Sequence, residues 1–146
     1  MNYYKNIKEE LINNEVYKKV KDYSKNRSDL KTYYNVGKIL SEAGKHYGEG
    51  IIKEYSKKLT NELGKGYSER NLRNMRQFFN LYYKQKWQTL SAKLSWSHYS
   101  ELLSLNNIDK INYYVKITEE NNLSVRELRN KIKNNEYERL DNKTKE

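Results

Sequence analysis

The chain contains neither cysteine nor proline. Without cysteine there are no disulfides and no cysteine-based zinc sites, which fits a reducing, cytoplasmic compartment. Without proline the strongest helix breaker is missing, and long helices are favoured. Phe and Trp are scarce, with two of each, so fifteen tyrosines supply much of the apolar bulk. No apolar run reaches the roughly 18–20 residues of a membrane span. Residues 1–25 also lack the apolar core of a signal peptide. A membrane is therefore not among the expected partners.

Catalytic equipment is equally thin. The only histidines, His46 and His98, lie far apart with no carboxylate cluster beside them. No Glu-x-Lys occurs, although a PD-(D/E)xK nuclease needs it on a strand to hold Mg2+ and position water. Asp29-Leu30-Lys31 and Asp141-Asn142-Lys143 match Asp-x-Lys, but they fall at a helix start and in the tail. No Walker loop or dinucleotide fingerprint is present. Pairing His98 with Ser95 or Ser97 as base and nucleophile would need an orienting third group and an oxyanion site. The structural alternative is that the Ser–His segment satisfies a helix N-terminus while Trp96 fills the core. Neither a cofactor, a metal nor catalysis is expected of this chain.

What is abundant is positive charge, with a net +10 over 146 residues. Lys, Asn, Ile and Tyr all have AT-rich codons, so a general basic drift is one source of it. The excess is concentrated, however. Residues 67–100 carry six bases against a single acid, Glu69, while residues 101–146 balance at nine of each. A local basic surface of this kind is the footprint of a polyanion-binding site.

Periodicity is helical throughout, with no hairpin signal or sustained alternation. A first helix is expected over about 3–25 along Ile7, Leu11, Val16, Val20 and Tyr23. A second, capped by Ser28 or Asp29, would bury Leu30, Tyr33, Gly37 and Leu40. Gly37 within that stripe points to a close helix–helix approach. Gly44 and Gly48 would bracket a turn before a third helix over about 49–63, burying Ile52, Tyr55, Leu59 and Leu63. After the glycine turn at 64–66, Ser68 caps a fourth helix that runs to about 84. Residues 85–95 suit a loop or short helix. A fifth helix ends near Leu105 and a sixth spans about 108–121 along Ile108, Ile111, Val115 and Thr118. A last one opens on the capping box Ser124/Glu127 and runs to about Leu140.

The fourth helix carries the candidate site. Leu72, Met75, Phe79 and Tyr82 share one face, and Arg70, Arg73, Asn74 and Gln77 the opposite one. Guanidinium and amide groups read phosphates and base edges. A helix, a glycine turn and such a helix form a helix-turn-helix-like unit over about 51–84. The candidate nucleic-acid-binding residues are Lys65, Arg70, Asn71, Arg73, Asn74, Arg76 and Gln77, with Arg76 at the edge of the apolar stripe. The competing reading is an ordinary solvated helix face.

Several segments in order carry a family likeness: Tyr34-Asn35-Val36-Gly37-Lys38-Ile39, Tyr47-Gly48, Gly64 to Leu72, and Arg76-Gln77-Phe78-Phe79. Leu94 to Tyr99, Ser124 to Leu128, and Tyr137-Glu138-Arg139-Leu140 complete the set. Over roughly residues 5–140 the chain resembles the N-terminal domain of YhcG-like bacterial proteins. Members join that helical domain to a C-terminal PD-(D/E)xK nuclease domain. Two packing positions depart from the pattern: Leu123 stands where the family has Trp, and a Pro after the fourth helix is missing.

The resemblance implies an all-α single domain of about seven helices over 1–140, with 141–146 a charged tail or the start of a linker. It also implies a DNA-binding targeting module whose nuclease domain acts in cis or in trans. The chain is then a fragment, one half of a split gene, or a stand-alone module. The alternative is a protein–protein or self-association module that docks a nuclease partner or forms a homo-oligomer.

Overall fold

The computed structural model describes residues 2–20, 25–83, 91 and 93–140. They form seven helices: α1 (Tyr3–Val20), α2 (Lys25–Tyr47), α3 (Gly50–Leu63), α4 (Glu69–Tyr82), α5 (Trp96–Leu103), α6 (Ile108–Asn121) and α7 (Val125–Lys133). Among the described residues there is no strand, so the domain is all-α as its periodicity predicts. Its helices group into two compact units, Met1–Trp87 and Gln88–Glu146. None of the described helices is long and apolar enough to cross a membrane.

In the first unit α2 packs against α1, α3 and α4. The α1 stripe is Tyr3, Ile7, Leu11 and Asn14. Spacings of four, four and three turn position 14 inward, so Val16 lies outside the stripe expected for it and is 56% exposed. Asn14 is polar but satisfied, because its amide donates to the Asp29 carboxylate at 2.8 Å. Lys18 reaches the same carboxylate at 3.0 Å. Asp29 thus ties α1 to α2 and does not cap α2, which begins four residues earlier at Lys25. Of the remaining expected α1 positions, residues 21–24 lie outside the described residues.

Along α2 the buried residues include Leu30, Val36, Leu40 and Ala43. Tyr33 is only half-buried, and Gly44 lies inside the helix, not in a turn. The turn is made at Gly48, whose φ of 81° favours glycine. Gly37 meets the backbone of α4: a Cβ there would lie 2.0 Å from the Met75 carbonyl oxygen.

Helix α3 buries Ile51, Ile52, Tyr55 and Leu59, with Leu63 half-buried at its end. In the turn that follows, Gly64 and Gly66 take φ values of 98° and 109°. The Ser56 hydroxyl donates to the Tyr67 carbonyl at 2.7 Å and fixes the far side of this turn.

The second unit is held by its helix ends. The Ser95 hydroxyl accepts from the His98 amide, and His98 Nδ1 in turn accepts from the Ser95 amide at 3.1 Å. His98 Nε2 donates to the Leu123 carbonyl at 2.9 Å. His98 is therefore a capping and bridging residue, and the Ser–His segment serves the helix N-terminus. Trp96 is only half-buried, contrary to expectation, whereas Tyr99 one turn later is 1% exposed. Residues 84–90 and 92, most of the expected loop or short helix, lie outside the described residues.

Helix α6 occupies its expected span and buries Ile111, Tyr114 and Thr118, with Tyr114 in the place foreseen for Val115. Asn122 ends it in the left-handed conformation, with φ 52°. Helix α7 stops at Lys133 and does not reach Leu140. Asn135, at φ 55°, reverses the chain. The following turn folds onto α6: Tyr113 donates to Glu136 at 2.8 Å, and the Tyr137 amide donates to the Tyr114 hydroxyl.

The capping box at Ser124 makes one pH-dependent contribution. Hydrogen bonds from the Ser124 backbone and side chain hold the Glu127 carboxyl below its ordinary 4.5. Because the folded value is depressed, the stabilisation is fully present above about pH 4.5 and is lost as pH falls through the folded value. The protection factors of the first-turn amides of α7, taken against intrinsic exchange rates at each pH, should fall on acidification below pH 4.5 in the wild type. In Glu127→Gln that fall should be absent at this site.

Candidate nucleic-acid interface

Helix α4 is presented by its surroundings. The glycine turn lets α3 and α4 follow one another closely, and the Ser68 hydroxyl accepts the Asn71 amide at 3.1 Å to start the helix. The Asn71 side chain donates back to the Gly66 carbonyl at 2.6 Å. Leu72, Met75, Phe78 and Tyr82 are buried. Phe78 thus takes the core position expected for Phe79, which is half-buried and meets Tyr34 edge-on at 5.1 Å between ring centroids. Phe79 instead lies against α2, where a Cβ on Gly37 would come within 3.0 Å of the Phe79 Cβ.

The opposite face carries the predicted residues in three different states. Arg70 is exposed and, like Asn74, makes no side-chain hydrogen bond or ion pair among the described residues. Lys65, at the tip of the glycine turn, is exposed as well. Arg73 pairs with Glu69 one turn earlier at 3.3 Å, both side chains being about half exposed. A pair of this kind contributes about 0–1 kcal/mol.

The other three candidates already have work in the fold. Asn71 closes the turn, and Gln77 is half-buried with interactions of its own. Arg76 forms a two-pronged pair with Glu49, at 2.8 and 3.1 Å. Those hydrogen bonds, then the guanidinium's charge, hold the Glu49 carboxyl below the usual carboxylate value, and Arg73 adds to the effect. Glu49 lies 27 positions from Arg76, so no local spacing could have announced the pair. Lys84 and Lys86, which contribute to the basic segment, lie outside the described residues.

Among the described residues no group of three or more His, Asp and Glu side chains could hold a metal ion. What the face offers is donors: two guanidiniums and an amide on one side of an anchored helix.

Comparison with known proteins gives the family. The family described as the DUF1016 N-terminal domain matches residues 6–139. The protein named "Putative nuclease YhcG" of Escherichia coli (strain K12) is 32% identical over an alignment of 144 residues, which covers 74% of this chain. The chain spans only 38% of the length of that curated relative. No solved structure matches significantly. With a helical domain matched almost from end to end, this chain belongs to the DUF1016 N-terminal domain family, the N-terminal domain of YhcG-like proteins.

Proposed function

We propose that this chain is a nucleic-acid-binding module for duplex DNA and serves as the targeting domain of a YhcG-like nuclease. The observation that carries the reading is the outer face of α4. Arg70, Arg73 and Asn74 project from a helix whose other side is locked into the core, inside the segment with the largest charge excess. The helix lies in or beside a groove, with Lys65 on the flanking backbone. Arg73 contacts phosphate after exchanging its carboxylate partner for it, and Arg70, near the helix start, is placed for base edges. The curated relative is named as a nuclease and is longer than this chain, so cleavage belongs to another part of the assembly, in cis or in trans.

A salt titration against one duplex tests this. The logarithm of affinity should fall with the logarithm of salt concentration by about 0.9 per neutralised phosphate. Arg73→Ala should flatten that slope by about 1. Arg70→Ala should cost about 1–3 kcal/mol at one base position and relax specificity there. Identical slopes and affinities for wild type and both variants would reduce the face to a solvated helix surface.

A second reading draws support from α1. Ile12, Val16 and Tyr17 are large and exposed, and the first two flank a groove lined by Leu63 and Tyr67. Exposed apolar groups of this size suit a protein–protein or self-association surface. That reading leads if the titration fails.

A further inference from the structure

Beside the outer face of α4, the first unit holds a polar cleft of about 420 Å³, lined by Ser41, Gly44, Lys45, Glu49, Arg76 and Asn80. Five of these residues are neutral or basic. Glu49 is the single acid, and it sits on the Arg76 guanidinium with both carboxylate oxygens. We infer that this cleft is a phosphate-binding site in which Glu49 occupies the phosphate's place on Arg76.

The two partners are built differently. The Arg76 side chain is only 20% exposed, and its Nη1 passes 3.7 Å from where a Cβ on Gly44 would lie. A flat guanidinium held in this way presents a fixed fork, which suits two oxygens of a phosphate as well as those of a carboxylate. Glu49, by contrast, is 71% exposed. It stands between Gly48 and Gly50, and its side chain makes no capping bond to α3. Nothing in the helix start depends on that carboxylate, so it can swing into solvent at little cost.

A phosphate also offers what the carboxylate lacks. Its further oxygens can meet Lys45, Ser41 and Asn80, whose side chains make no hydrogen bond or ion pair among the described residues. Arg73, on the same side of α4, already attracts the Glu49 carboxylate and would attract a phosphate in the same way. The partial negative charge at the end of α2 is opposed by the partial positive charge at the start of α3. The side chains therefore set the sign of the site, and with Glu49 withdrawn it is positive. The phosphate itself is argued from the cleft alone. Only its source, a nucleic-acid backbone, rests on the proposed function.

The test uses inorganic phosphate first, titrated at constant ionic strength and followed through the amide resonances of Ser41, Gly44 and Asn80. Glu49→Gln keeps the shape but abandons the charge. Because an exposed carboxylate pair of about 0.2–1 kcal/mol closes the site part of the time, its removal should tighten phosphate by about two- to sixfold. Arg76→Lys keeps the charge but loses the fork, and should abolish saturable shifts at these amides. Glu54→Gln, an equal charge change on α3 away from the cleft, should leave phosphate affinity unchanged. Equal affinities in wild type and Glu49→Gln, or equal tightening by Glu54→Gln, would overturn the site.

A duplex titration then identifies the source. Parallel tightening of a duplex by Glu49→Gln assigns the cleft to a backbone phosphate. A duplex that does not bind at all sinks the proposed function. With inorganic phosphate still tightened, that result supports the cleft as a site for free or terminal phosphate.

Discussion

Tyr99→Ala should destabilise the second unit by about 3–5 kcal/mol, the range for removing a buried aromatic ring and leaving a cavity. Tyr99 is 1% exposed on α5, among Leu94, Leu102 and Leu103. Its hydroxyl also accepts the Ser91 amide at 3.1 Å. Tyr99→Phe should therefore cost about 1–3 kcal/mol by leaving a buried amide without its acceptor. Trp96→Ala should cost less than Tyr99→Ala, since Trp96 stands in the first turn of α5 at the edge of this core. Urea unfolding of the three variants gives the ranking. A Trp96→Ala loss larger than that of Tyr99→Ala would place the core of this unit around the wrong ring.

Gly37→Ala should cost about 2–3 kcal/mol, although alanine is the better helix former by about 1 kcal/mol. The reason is backbone contact. The added carbon would meet the Met75 carbonyl oxygen at 2.0 Å and its carbon at 2.7 Å, and a main chain inside a helix cannot turn aside as a side chain can. Helix α4 must move away from α2, and the sockets around Met75 and Phe78 open with it. The urea midpoint should fall at unchanged m-value. A stabilised Gly37→Ala would mean that the two helices separate easily, and the anchoring of the Arg70/Arg73 face would lose its support. Gly44, in the same helix, is the control: a Cβ there meets only Arg76 Nη1, at an ordinary contact distance of 3.7 Å.

Arg76 shows how the site and the fold share residues. On a helical wheel it stands beside the apolar stripe, and its spacing alone allows a role in binding or in packing. The structure gives its fork to Glu49, whose carboxylate resembles a phosphate in charge and in the separation of its oxygens. On the proposed reading, a phosphate takes the carboxylate's place on that fork.

How much could be read from the residues differs by level. The helices and most of their ends were legible, because helix formation is local. Ser68, Ser95 and Ser124 each satisfy first-turn amides a few positions away. The absence of proline and the glycines at 64 and 66 belong to the same local order. The charge excess around α4 was legible for the same reason. The close approach at Gly37 was also written in the chain, since a glycine in a buried stripe has few other uses.

Long-range contact decided the rest. Whether Phe78 or Phe79 faces the core depends on where α2 touches α4, and a helical wheel holds no information on that. Asp29 became the partner of Asn14 and Lys18 because α1 passes over it, so the helix began earlier than its capping residues suggested. Helix α7 ended at Lys133 because residues 136 and 137 found partners on α6. The Arg76–Glu49 pair joins residues 27 positions apart. Pattern within one turn of helix determines which segments are helical and which face carries charge. Only the packing of one helix on another determines which ring is buried, which carboxylate meets which arginine, and so which cations remain for a ligand.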